Sequence, residues 1–175
     1  MAHTLDQSIA VDDQLSIHDF EFRDATHVAR FAERASLLTG AANCESWHLG
    51  RDGRFSCGTN GTALDSLREW ALDPERLIST FVEFRKQGTC TPDWIVVDER
   101  PPRWPGDDSA PSEADVQHFM RLRYQLEVVG IRLMDVVIFD GGARWWSMCE
   151  LLTGTTAWND RPFPIVDVQR LRRVA

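Results

Sequence analysis

This chain carries many side chains able to do chemistry, but few of them stand at spacings that chemistry uses. Four cysteines, Cys44, Cys57, Cys90 and Cys149, are widely separated, with no C-x-x-C and no C-x-x-H. A zinc knuckle or ribbon therefore has no support, and buried free thiols are the ordinary reading. Cys44 and Cys57 can face each other across a hairpin, although a reducing compartment argues against a bond. The five histidines, His3, His18, His27, His48 and His118, form no i,i+4 or x-spaced pair; they read as surface or incidental residues, with His48, opposite the hairpin, the one near the site. Ser112 and Ser147 lack the context of a nucleophile, and neither a nucleophile elbow nor a phosphate-binding glycine loop occurs. Trp145-Trp146 behind Arg144 is a pair that can stack on bases. Adjacent strand residues point to opposite faces, so one tryptophan is expected in the core and one exposed. Asp135 stands inside an apolar run, either on a wet sheet face or buried against a partner such as Arg100 or Arg144.

Charge narrows the partners. The chain has 175 residues, with 27 acidic against 19 basic side chains and a formal net charge of −8. The acid is concentrated early: residues 1–115 hold 21 Asp and Glu against 11 Lys and Arg, whereas residues 116–175 hold 6 against 8. A generic phosphate-backbone binder needs the opposite balance, because its affinity comes from basic groups that release counterions. Nucleic-acid binding is therefore expected to be weak, and a protein partner with a basic surface is favoured. Arg170, Arg172 and Arg173 make a small basic tail whose ordinary role is solvated charge. No apolar run approaches the roughly 20 residues needed to cross a bilayer. The first residues have neither a basic nor an apolar leader pattern, so a cytoplasmic protein without membrane contact is expected.

The elements that must position any site can be read from periodicity and punctuation. Residues 1–25 read as an acidic arm or loosely attached strand. Asp24 or Thr26 can cap a helix whose inner face is Val28, Phe31, Ala32, Ala35 and Leu38. Gly50-Arg51-Asp52-Gly53 marks a hairpin between strands at 45–49 and 54–57. A short helix is expected over 62–72. Asp73-Pro74 opens another to about Gln87, with Leu77, Ile78, Phe81, Val82 and Phe84 facing inward. Trp94-Ile95-Val96-Val97 reads as a buried strand. Ser112 with Asp115 makes a capping pair before a periodic helix, Val116, Phe119, Leu122, Leu126 and Val129, closed by Gly130. A strand over 131–139, a turn at Asp140-Gly141-Gly142 and a return strand over 144–148 follow, and residues 153–175 read as a C-terminal extension. The order implies one α/β (α+β) domain.

Several of these residues carry a resemblance. Pro111-Ser112-Glu113-Ala114-Asp115, Arg121-Leu122, Gly130-Ile131-Arg132-Leu133-Met134-Asp135, Ile138, and Gly141-Gly142 through Ser147 and Glu150 resemble the C-terminal half of RadC-like proteins of the JAB/MPN (JAMM metalloprotease-fold) superfamily. Upstream, Leu72-Asp73-Pro74-Glu75-Arg76 and Trp94-Ile95-Val96-Val97 are similar to that family's Pro-Arg helix and the buried strand that delivers its metal motif. The resemblance covers residues 26–152 and implies a single JAB/MPN-like domain, a curved mixed sheet flanked by helices.

In active members, a His-x-His-Pro ending the buried strand and an Asp after a Pro-Ser turn hold zinc, with an upstream Glu as general base. In this chain Asp98 and Arg100 stand where the two imidazoles belong; in the alternative register Pro101 and Arg103 do. The second Asp-His pair reads Asp135-Val136. Glu45, as the upstream Glu, and Asp115 are what remains. Each has a plain structural reading as well: Asp115 completes a helix cap, and Glu45 is a solvent-facing strand residue or a partner of Arg100. The resemblance, with its metal motif degenerate at Asp98, Arg100, Asp115 and Val136, implies a zinc-free, cofactor-free pseudoenzyme that binds another macromolecule. The family's short members look like passengers of mobile genetic elements, which by analogy directs such a protein at host defence or DNA-processing proteins. Two alternatives stand beside it. One is a metal-dependent hydrolase whose ligands are the carboxylates Glu45, Asp98 and Asp115. The other is a DNA-associated factor of the RadC type using Arg144, Trp145 and Trp146.

Overall fold

The computed structural model describes residues 2–4, 21–34, 43–49, 54–58, 67–73, 75, 79, 82–83, 86, 93–102, 109–128, 130–141, 144–156 and 158. The elements are β1 (His3–Thr4), α1 (Ala25–Arg34), β2 (Asn43–Leu49), β3 (Phe55–Gly58), α2 (Leu67–Leu72), β4 (Asp93–Glu99), α3 (Glu113–Val128), β5 (Arg132–Phe139), β6 (Arg144–Ser147) and α4 (Met148–Thr153). The strands form one sheet in the order β1-β6-β5-β4-β2-β3. β4 and β5 run parallel and the other neighbours antiparallel, so this is a mixed α+β fold. Parallel neighbours require a crossover, and α3 supplies it.

Helices cover both faces, which is why β4 reads as an unbroken apolar run. On the first face, Trp94, Val96, Val136, Ile138 and Trp146 pack against Phe119, Leu122 and Leu126 of α3. On the second, Ile95, Val97, Val137, Phe139 and Trp145 pack with Trp47 against Val28, Ala29, Phe31 and Ala32 of α1. Asp24, not Thr26, caps α1, its Oδ1 accepting from the His27 amide at 3.0 Å. Gly130 ends α3 at φ 83°, and the Ile131 amide reaches back to the Leu126 carbonyl at 2.9 Å.

Some expectations are corrected. Met148 opens α4 instead of closing the return strand. The cue was present: Ser147-Met148-Cys149-Glu150 is an S-x-x-E capping pattern, and the Ser147 hydroxyl accepts from the Glu150 amide at 3.0 Å. Val82 is exposed, not inward-facing. Of the two readings of the N-terminal stretch, the attached strand is the one that His3 and Thr4 take, pairing with Trp145 and Arg144. The expectations for Ala35, Leu38, Leu77, Ile78, Phe81, Phe84, Cys90, Arg103, the 50–53 turn, most of the arm and residues 159–175 lie outside the described residues. No helix among the described residues is long and apolar enough to cross a membrane.

Candidate functional site

The site nearest to the sequence expectations lies where β4 ends. The parallel ladder continues one residue past the strand, because the Arg100 amide donates to the Phe139 carbonyl at 2.7 Å. The Arg100 carbonyl accepts from the Ser109 hydroxyl at 2.7 Å, so its main chain is held on both sides. The β5–β6 turn presses on the next residue: a Cβ on Gly141 would lie 2.9 Å from Pro101 Cβ. Glycine is also the residue that accepts the turn's φ of 76° without strain. This fixed backbone aims the Arg100 guanidinium into a gap between β4 and α3.

Two acids meet it there. Arg100 Nε and Nη2 both donate to Asp98 Oδ2, at 2.8 and 2.5 Å, and Nη2 lies 2.8 Å from Asp115 Oδ1. The other Asp115 oxygen accepts from the Ser112 amide and hydroxyl, each at 2.7 Å, so the helix cap and the ion pair share one carboxylate. The Asp98 side chain is 2% exposed, Asp115 15% and Arg100 25%. Burial pushes the Asp98 carboxyl above its usual value, against the pull of Arg100. Burial also works to raise Asp115, but the bonds from Arg100 and Ser112 outweigh it and hold that carboxyl below its usual value. Burial opposes the charge on Arg100, yet Asp98 and Asp115 together make its proton harder to remove.

Asp98, Arg100 and Asp115, singled out from the sequence, therefore converge. Glu45 does not join them. Cys44 pairs across the sheet with Asp98 and Glu45 with Val97; Cys44 belongs to the first face and Val97 to the second. Glu45 accordingly accepts from the Trp47 indole at 3.5 Å on the α1 side. Three carboxylates split across a sheet cannot share an ion, and no group of three His, Cys, Asp or Glu among the described residues is placed to hold one. Zinc, which active members of the resembled family hold, does not fit this arrangement: a guanidinium has no lone pair to give a metal and lies against the two acids of the motif. Val136 is packed in the first cluster opposite Val96. Chemically the arrangement is a charge clasp between a strand end and a helix start.

Other sequence readings change. Trp145 and Trp146 do point to opposite faces, but both are buried, because both faces are covered. The tryptophan expected to be exposed is not. Trp145 stacks on His3 at 4.4 Å, and Arg144, held by Asp140 at 2.7 Å, lies 5.5 Å over the Trp146 ring. His48 is not a surface residue. It is buried, stacks on Trp94 at 4.3 Å and lies 3.1 Å from the Ser46 hydroxyl; burial lowers its pKa to about 4. His3 reaches Glu150 at 2.6 Å.

Asp135 is buried, and neither Arg100 nor Arg144 bonds it. Its Oδ1 accepts from the Val136 and Cys149 amides at 2.8 and 2.9 Å. Its Oδ2 accepts from the Ser147 hydroxyl at 2.6 Å and the Trp158 indole at 3.2 Å. Burial pushes its pKa up to about 6 despite these donors. The sequence signal for this second cluster was an acid within an apolar strand together with a capping serine at the end of the next strand.

No family model matches the chain, and no curated protein matches its sequence.

Proposed function

We propose that this chain is a catalytically inactive RadC-like JAB/MPN-domain protein that acts by binding another macromolecule, a protein with a basic surface. The observation that supports this reading is the convergence of Asp98, Arg100 and Asp115. These are the positions the resemblance assigns to metal ligands, brought together from a strand end and the first turn of the following helix. A permanent cation held between the two acids occupies the place that a metal would need, which supports a reading without metal-activated water. The remaining resource is shape and charge, and at −8 overall the chain attracts basic partners and repels nucleic-acid phosphates.

Restoring the motif tests the reading. An Asp98→His/Arg100→His variant, with Asp115 as its third ligand, is expected to bind about one zinc per chain by elemental analysis after dialysis, by analogy with open three-ligand sites. The same variant carrying Asp115→Ala is expected to lose it, and the unaltered chain is expected to hold none. A folded double variant that binds no zinc would show that the positions do not correspond and would overturn the family reading. The DNA-associated alternative is tested by fluorescence anisotropy. Duplex and single-stranded DNA are expected to bind no tighter than the ~10⁻⁴–10⁻⁶ M of non-specific contacts at physiological salt; submicromolar binding would replace the protein-partner reading with the DNA one.

A further inference from the structure

We draw no further inference here: the strongest candidate, the outward face of α3 on which Tyr124 and Val128 stand exposed one turn apart, is a short apolar stripe, and nothing in the structure shows what covers it.

Discussion

Asp98 and Asp135 lie on adjacent parallel strands of one sheet, both buried, one facing α3 and the other facing the α1 side. The protein neutralises them by different means. Asp98 meets a full positive charge on Arg100, which it shares with Asp115. Asp135 meets four dipoles, two backbone amides, a hydroxyl and an indole. A guanidinium works against the burial that raises the Asp98 carboxyl and ties two elements together. A shell of dipoles satisfies hydrogen bonds but leaves the charge only partly compensated, and Asp135 titrates near 6. The first acid is thus paired with a charge that links strand to helix; the second rests on dipoles alone.

The largest expected effect separates them. Arg100→Met leaves Asp98 buried without its cation, and removing one partner of a buried pair costs about 3–5 kcal/mol. In urea melts, the further change Asp98→Asn is expected to recover a large part of that loss. A single-variant loss below about 1 kcal/mol would mean that Asp98 does not depend on the guanidinium. Apolar packing on the same face provides the scale. Phe119 and Leu126 are fully buried under α3, and replacement of either by Ala is expected to cost about 2–5 kcal/mol by lost transfer energy and residual cavity. A loss near zero would mean that α3 is held by the Arg100 clasp alone.

Acid titration sharpens the contrast next. His48 has a folded pKa of about 4 against an ordinary 6.5, so its contribution is fully present above 6.5 and is lost as pH falls toward 4, about 3 kcal/mol in all. Asp135 is shifted upward, from 3.8 to about 6. It therefore imposes a penalty of similar size, about 3 kcal/mol, above pH 6, relieved as pH falls toward 3.8. Asp98, also raised by burial, acts in the same direction. The terms oppose each other between pH 6.5 and 4. Relative to the unaltered chain, His48→Gln is expected to gain stability through that window and Asp135→Asn to lose it, both read from urea midpoints at stepped pH. Parallel profiles for the two variants would show that neither group is the titrating one.

The clasp was more legible in the sequence than the dipole shell, for a physical reason. Asp98, Arg100 and Asp115 sit at a strand end and a helix cap, two places where local rules fix geometry, so their positions relative to the elements followed from Val97 and Ser112. The Asp135 shell depends on Trp158, contributed by a segment whose course no periodicity records, and on α4, whose Ser147-Glu150 pattern was read as the end of a strand. Glu45 was misplaced because its side depends on register. One step along β2 separates the Cys44 face from the Glu45 face, and a period of two makes any such error complete. Both tryptophans of the 145–146 pair were legible as alternating, but that both faces are covered is a property of the layers and not of the strand.

The smallest effects compare two serines that start helices beside the two acids. Ser112 and Ser147 occupy the same position in S-x-x-acid patterns, and each hydroxyl both accepts from a backbone amide of the following turn and donates to a carboxylate. Their surroundings differ. Ser112 is exposed, and Asp115 keeps the Ser112 amide and Arg100 if the hydroxyl is lost. Ser112→Ala is therefore expected to cost about 1 kcal/mol, the ordinary price of a cap. Ser147 is fully buried, and its loss removes a donor from Asp135 where no water replaces it, so Ser147→Ala is expected to cost about 1–3 kcal/mol, the desolvation penalty of an unmet buried acceptor, in addition to the cap. That extra loss should shrink as pH falls below 6, because a protonated Asp135 demands less of its donors. Equal losses for the two serines at pH 7, measured in the same denaturant series, would mean that the dipole shell contributes nothing beyond capping α4.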